Sequence, residues 1–312
     1  MNQPSFRTDI VSIGCLSLAL MTVPILNAEP RCPGNVAGVT PRFIQHALIV
    51  IPVWINQSGP YDFMLDTGSQ VTAVDPSLAM ELNLKPRGTV GVFTVAGFTS
   101  ASITILDSLE ASSYALEKPL AVIEDLQSIQ AADPHIRGIL GENFLSHFDL
   151  LIDYAHKRIC LDQTKTLHER VHGEHVPLVV PNLPESESRF GERLVVAVHL
   201  SGAGTRPILL QLDSGSDGAL LHSNTQVREL KSILRLATRR GSNASNAQRA
   251  FSDLPPQDLH IGSLTLGRIA FTTQVTPAKD VPSRDEDGVL PTLLFQRVFI
   301  SGSEHYVVLD SW

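Results

Sequence analysis

Two aspartates sit in nearly the same four-residue setting, Asp66-Thr67-Gly68-Ser69 and Asp213-Ser214-Gly215-Ser216. An apolar run leads into each, Phe63-Met64-Leu65 and Leu209-Leu210-Gln211-Leu212. Each also has a later glycine with an apolar pair behind it: Gly138-Ile139-Leu140-Gly141 begins 72 residues beyond Asp66, and Gly288-Val289-Leu290-Pro291 begins 75 beyond Asp213. One Asp-Thr-Gly-Ser after a strand is ordinary turn chemistry. Two copies, each with a partner at matched distance, point to a duplicated half that supplies one carboxylate per copy. Two carboxyl groups in contact cannot both ionise, so such a pair titrates as a unit and holds one proton between them. One member then serves as base toward a water and the other as acid toward an amide, which is enough to hydrolyse a peptide bond. Asp66 and Asp213 are the candidates for that work, and the chemistry calls for no metal and no cofactor.

The elements that must position the pair read as β-structure. Apolar runs are short and rich in Val, Ile and Thr, and 21 glycines and 20 prolines punctuate them. Leu48 to Ile55 is a strand, Asn56-Gln57-Ser58-Gly59-Pro60 turns it, and Tyr61 to Leu65 returns into Asp66. The second half repeats the plan, with Leu194 to Leu200, the turn Ser201-Gly202-Ala203-Gly204, and the return Pro207 to Leu212. Pro76 to Leu84 and Glu142 to Phe148 read as short helices, and Phe93 to Phe98 belongs to a β-rich segment that could cover the site. Asp107 to Val122 should supply more strand, as should Leu259 to Phe271. Leu150 to Leu161 reads as a closing hairpin, and Val307-Val308-Leu309 closes the chain. Residues 237–253, polar and Arg-bearing, read as a mobile loop, and Glu29 to Gln45, rich in Pro and Gly, as irregular.

At 312 residues, 43% hydrophobic and 18% charged, the chain is long enough for two compact globular units. A net charge of −8 excludes the basic stripe expected of a nucleic-acid binder. The division expected is a signal peptide over 1–28, a first lobe over 29–163, a linker over 164–192 carrying Pro177, Pro181 and Pro184, and a second lobe over 193–312. The leader has Arg7, the apolar stretch Ile10 to Leu26 and a cleavage site after Ala28. An uncleaved N-terminal anchor and lipidation at Cys15 compete with cleavage. The expectation is an exported protein, periplasmic or otherwise extracytoplasmic. Loss of the leader leaves only Cys32 and Cys160, an even pair that an oxidising compartment can join.

These motifs resemble those of the aspartic peptidases. The resemblance covers roughly residues 45 to 312 and rests on the two Asp-[Ser/Thr]-Gly-Ser turns, on Ile139-Leu140-Gly141, and on the strand Leu150 to Tyr154 with its return Arg158 to Leu161. Short halves are similar to the one-lobe retropepsin-like members, and their fusion to the two-lobe pepsin-like ones. The chain is identified as a tandem retropepsin-like aspartic peptidase of the bacterial type. The resemblance implies a mainly β fold of two similar retropepsin-like β-barrel lobes with a cleft between them, acting as a monomer on a peptide or protein substrate. It further implies that Thr67 and Ser214 bond across the pseudo-twofold axis and that Ser69 and Ser216 donate to the outer carboxylate oxygens. Gly68 and Gly215 should let the backbone turn tightly beside each carboxylate, where a Cβ would crowd the approach, and Gly141 should let the Ile139-Leu140 segment pack closely against the first loop. Two departures stand out: Pro291 occupies the place of Gly141, and Phe93 and Phe98 flank the segment where pepsin-like members use a tyrosine.

Two other readings compete. His168-Glu169-Arg170-Val171-His172 matches the H-E-x-x-H string that on a helix aligns two imidazoles for zinc, with His175 as a possible third ligand. Gly173 and Pro177 close behind it, and the scarcity of apolar neighbours, argue for an incidental string. The departures at Pro291 and the two phenylalanines motivate the other reading, a catalytically impaired exported protein that binds peptides without cutting them.

Overall fold

The computed structural model describes residues 32–45, 47–94, 97–179, 190–222, 238–242, 248–274 and 286–312. The expected leader and its cleavage site lie outside them. The chain is mainly β, with curled sheets resembling half-barrels. Each half is built on the same knot of strands. In the first, Leu48–Ile55 and Ser58–Leu65 form a hairpin, and Ser58–Leu65 then pairs in parallel with Ile136–Leu140, Leu65 opposite Leu140. Ala73–Val74 crosses between them, antiparallel to Ile136–Leu140 and parallel to Leu120–Ile123. In the second half Val195–Leu200, Ile208–Asp213, Gly288–Pro291 and Ala219–Leu221 take these same places, with Leu212 opposite Leu290 and Phe271–Gln274 parallel to Ala219–Leu221. Both aspartates therefore emerge at the C-terminal end of a strand held on both sides.

Alternation in sequence explains the burial of the first hairpin. Ile49, Ile51, Val53 and Ile55 stand on one face of their strand, and all are fully buried. They join Phe63, Leu65, Leu140 and Phe144 in a core that runs without a break into Val196, Val198, Leu210, Leu212 and Leu290 of the second half. The halves also share backbone. Asp149–Asp153 and Arg158–Asp162 form the expected closing hairpin, and Asp149–Asp153 pairs antiparallel with Arg297–Ser301, Leu151 opposite Phe299. Arg297–Ser301 in turn pairs with Tyr306–Asp310. One sheet thus spans both halves.

Short helices fall close to where they were expected, over Pro76–Glu81 and Glu142–Leu145. The first has Pro76 in its first turn and is capped by Asp75, whose Oδ1 accepts from the Ser77 and Leu78 amides at 2.8 and 3.2 Å. Arg137 Nε donates to the other Asp75 oxygen at 2.8 Å, so the cap also ties this helix to the Ile136–Leu140 strand.

Three segments expected to lack regular structure have it. The polar stretch 237–253 forms a hairpin, Thr238–Ser242 against Gln248–Asp253, whose second strand extends the sheet beside Phe271–Gln274. Segment 164–192, expected as a connector, carries a helix over Thr166–Arg170 and a strand, Val176–Val179, wedged between Tyr306–Asp310 and Val195–Leu200. Glu29 to Gln45, expected to be irregular, contains Gly38–Val39 and Arg42–Ile44, which add to the edges of two sheets. Gly38–Val39 and Val176–Val179 take partners from distant sequence, whereas Arg42–Ile44 and Thr238–Ser242 pair with the strands that follow them.

Cys32 and Cys160 are joined by a disulfide, with Cα atoms 5.9 Å apart and 128 residues between them in sequence. The bridge lies in a cluster with Leu151, Leu167, Val171, Phe299 and Val308. It fastens the N-terminal segment to the sheet shared by the halves. Closing so long a loop removes on the order of 5 kcal/mol of unfolded-state entropy in the chain-entropy model, and measured values fall at about 2–5. Cys32→Ser with Cys160→Ser should therefore lower the denaturant midpoint, with about 2–5 kcal/mol lost and a steeper slope as the released unfolded chain exposes more surface. Equal midpoints for the oxidised protein and the variant would refute a stabilising role for the bridge.

Candidate active site

The two aspartate loops meet through their second residues. Thr67 N donates to Ser214 Oγ at 3.1 Å, and Ser214 N to Thr67 Oγ1 at 3.0 Å. Each hydroxyl then donates onward to the strand leading into the opposite loop, Thr67 Oγ1 to Leu212 O at 3.1 Å and Ser214 Oγ to Leu65 O at 2.9 Å. All four bonds are buried and every donor has an acceptor. A hydroxyl is what the position needs, since it accepts one bond and donates another.

That bridge presses the aspartates together. The Asp66 and Asp213 carboxyl groups are close enough to act directly on one another. Gly68 lies so near the opposite carboxyl that a Cβ there would stand 2.5 Å from Asp213 Cγ, and a Cβ at Gly215 would stand 2.5 Å from Asp66 Cγ. Neither glycine has a positive φ. Their role is space for the partner aspartate, rather than the tight turn at their own. Each glycine amide also donates to the aspartate two residues before it, Gly68 N to Asp66 Oδ1 at 2.8 Å and Gly215 N to Asp213 Oδ1 at 2.7 Å.

Beyond this point the symmetry stops. Ser69 Oγ donates to Asp66 Oδ2 at 2.8 Å, as the resemblance implied. Ser216 Oγ does not serve Asp213 and donates instead to Gly218 O at 2.9 Å. That corrects the expectation for Ser216, whose hydroxyl the shape of its own loop captures. The Asp213 carboxyl is pushed well above the ordinary range, first by burial and then by Asp66, against the opposing pull of the Gly215 and Ser216 amides. The hydroxyl donor and the raised carboxyl thus fall on opposite members of the pair.

Pro291 fits its place because its neighbours changed with it. It lies opposite Asp213 in the parallel pair of strands. In the first half Gly141 N donates to Thr72 Oγ1 at 3.3 Å, and a Cβ on Gly141 would stand within 2.8 Å of Val71 and Ser69 backbone atoms. In the second half Gly218 and Ala219 stand where Val71 and Thr72 stand. The missing N–H of proline coincides with the missing hydroxyl at Ala219. Phe93 and Phe98 pair across the hairpin Gly88–Thr94/Gly97–Ile105, but residues 95 and 96 and the side chains of 93–99 lie outside the described residues.

Sequence reasoning missed several groups around the pair. Asn143 braces the first loop, its Oδ1 accepting from Thr72 N and Oγ1 at 2.8 and 2.9 Å and its Nδ2 donating to Leu120 O at 2.7 Å. Gln70 Nε2 donates to Gly191 O at 2.9 Å, and Gly191 N returns a bond to Gln70 O at 2.8 Å, clasping the chain that enters the second half. Tyr154 and Thr292 share a buried hydroxyl contact at 2.6 Å. Gln211 Nε2 donates to Gly68 O at 3.0 Å. Alignment of the two halves on their aspartates would have flagged Gln211, because Met64 occupies the matching place.

Glu142 follows Gly141 directly and is 2% exposed, with its Oε1 lacking any hydrogen-bond partner. Burial raises its carboxyl well above the usual range, and Asp66 and Glu192 add to the effect. It faces a cavity also lined by Glu192, Ser301 and His305, in which His305 Nδ1 lies 3.4 Å from Glu192 Oε2.

The H-E-x-x-H string does not form one helical face. Its helix ends at Arg170, and Val171 is extended (φ −91°, ψ 115°), so His168 and His172 do not align. His168 Nδ1 instead contacts the Tyr306 hydroxyl at 2.7 Å, and His175 stacks on the Tyr306 ring at 3.8 Å. Among the described residues no group of three or more acidic, His or Cys side chains is arranged to hold a metal ion. No helix among them is long and apolar enough to cross a membrane.

Residues 51–144, which span the first aspartate and Gly141, match the aspartyl protease family. No curated protein matches the chain. Among solved structures the chain is similar to an aspartic proteinase from Irpex lacteus, with 11% identity, a TM-score of 0.49, and coverage of 88% of this chain and 97% of that one.

Glu142 yields a stability prediction with a definite sign. A carboxyl whose folded value lies above its unfolded one binds more protons in the native state, so its contribution is complete below about pH 4.5 and is lost as pH rises toward the folded value. Across that window each pH unit removes about 1.4 kcal/mol. Glu142→Gln should match the parent in stability at about pH 4 and exceed it near neutrality, as read by denaturant midpoints at the two pH values. A constant difference between the two proteins at all pH values would mean that Glu142 is ionised in the fold.

Proposed function

We propose that the chain is an aspartic endopeptidase that hydrolyses peptide bonds with a water activated between Asp66 and Asp213. The observation that carries this reading is the contact of the two carboxyl groups across loops locked together by Thr67 and Ser214. The aspartyl protease match over residues 51–144 supports it independently of that geometry.

The asymmetry of the pair assigns the roles. Asp66, which receives the Ser69 hydroxyl and the Gly68 amide, is the member whose negative charge is hydrogen-bonded. Asp213, with its carboxyl raised by burial and by Asp66, is the member that holds the proton. Asp66 takes a proton from the water as its oxygen adds to the peptide carbonyl carbon. Asp213 gives its proton to the carbonyl oxygen. The tetrahedral species then collapses: the proton now on Asp66 passes to the departing nitrogen, and Asp213 recovers the proton from the hydroxyl as the carbonyl re-forms. The pair ends as it began.

In this reading the active form is a monomer, because each half supplies one aspartate and a shared sheet joins the halves. The substrate is a peptide or protein. The Cys32–Cys160 bridge supports an exported, periplasmic or otherwise extracytoplasmic setting, and residues 1–28 act as its signal peptide.

Cleavage of a peptide library by the mature protein is the direct test. Asp66→Asn and Asp213→Asn should each reduce cleavage by at least about a hundredfold while the protein stays folded. Peptide binding without cleavage across acid to neutral pH would leave a peptide-binding protein, and loss of cleavage to a chelator alone would restore the zinc reading.

The two serines should separate in the pH profile. A hydroxyl donor favours the ionised form of the carboxylate it serves, so Ser69→Ala should move the acid limb of kcat/KM to higher pH. Ser216→Ala, which removes a bond to Gly218 rather than to Asp213, should leave both limbs in place. Equal shifts from the two substitutions would count against the asymmetric assignment.

A further inference from the structure

The halves match residue for residue around the pair. Leu65 opposite Leu140 corresponds to Leu212 opposite Leu290, and Met64 opposite Ile139 corresponds to Gln211 opposite Val289. The last correspondence replaces an apolar side chain by an amide in a buried strand. Gln211 is 5% exposed, Met64 is 3% exposed, and both stand two residues ahead of an aspartate. A buried amide needs a partner, and Gln211 finds one across the pair: its Nε2 donates to Gly68 O at 3.0 Å.

Gly68 O belongs to the same peptide unit as the Ser69 N–H. A bond to that oxygen fixes the peptide plane, and with it the direction in which Ser69 leaves the loop. Ser69 Oγ points to Asp66 Oδ2 at 2.8 Å, and Ser69 N reaches back to Asp66 O at 3.3 Å. On the opposite loop Met64 offers no donor to Gly215 O, and there Ser216 Oγ turns away to Gly218 O. The polar difference two residues ahead of each aspartate thus coincides with a difference in how the serines are used.

We propose that Gln211 is a positioning residue that makes the two aspartates unequal, by holding the Gly68–Ser69 peptide so that Ser69 serves Asp66. It touches neither the substrate nor the carboxyl groups. It acts through one peptide plane and one hydroxyl, and so decides which aspartate carries the charge and which the proton. The consequence for catalysis rests on the endopeptidase reading above, but the placement of the charge does not.

Titration of the pair by carboxyl-carbon NMR tests this with or without turnover. Ser69→Ala should raise the first ionisation of the pair by about one pH unit. Gln211→Met, which copies the other half, should raise it in the same direction by a part of that shift. In the Ser69→Ala protein, Gln211→Met should add nothing, since the hydroxyl it positions is gone. A purely structural glutamine predicts either no movement of the ionisation or the same movement with and without Ser69, and either result overturns the proposal. If Gln211→Met does not fold, Met64→Gln provides the converse. It supplies Gly215 with a donor, and the second ionisation of the pair should fall as Ser216 turns toward Asp213; an unmoved second ionisation counts against the proposal. Failure of the parent to cleave any peptide would remove the enzymatic reading while leaving these titrations to decide the role of Gln211.

Discussion

Each of the Thr67 and Ser214 hydroxyls accepts from the other loop and donates to the strand behind it, and the site exists because of that exchange. Two carboxyl groups in contact repel one another whenever both are charged. Four hydrogen bonds at about 1 kcal/mol each do not overwhelm that repulsion by magnitude alone. Their force lies in the alternative. Separation of the loops would leave buried hydroxyls, amides and carbonyls without partners, a larger penalty than the net value of the bonds when made. The bridge therefore sets the spacing, and protonation relieves what repulsion remains.

The sheet shared by the halves does the same at longer range. Asp149–Asp153 and Arg297–Ser301 are the closing strands of their respective halves, and they pair with each other rather than standing as edges. The strand Val176–Val179 adds to this fastening by bridging Tyr306–Asp310 and Val195–Leu200, and the disulfide ties the N-terminal segment to Arg158–Asp162. A hinge between the halves would have to break backbone pairing as well as side-chain contacts. Such a frame holds two aspartates to the tolerance that proton transfer requires.

Much of this was legible because covalent spacing carries it. The aspartates, the hydroxyls of Thr67 and Ser214, and the strands leading into them follow from short motifs and alternation; the glycines were legible as necessary, but for a tight turn rather than for the room they give the opposite carboxyl. What escaped depends on which distant atoms become neighbours. Ser216 has the same local sequence signal as Ser69, yet its hydroxyl goes to Gly218, a residue whose counterpart is Val71. Glu142 reads in sequence only as the first residue of a short helix; the structure buries it, with Gly191 packed against its backbone from nearly fifty residues away. The hairpin within 237–253 and the strand at Val176–Val179 lack alternation, and sheet partners from elsewhere in the chain supply what local pattern does not.

The departures from symmetry share a logic. A duplicated chain begins with two equal carboxyl groups, but hydrolysis needs one base and one acid at the same moment. The second half has Ala219 and Pro291 where the first has Thr72 and Gly141, so the absent hydroxyl and the absent N–H go together. It also has an amide at Gln211 where the first has the thioether of Met64, and that amide reaches back to the loop of the first half. The changes in the second half therefore simplify its own loop and reinforce the other. Serine on both sides leaves the chemistry available to either aspartate, and the strands beneath decide which one uses it. Inequality at the centre follows from small compensated substitutions one layer away, none of which touches a carboxyl group.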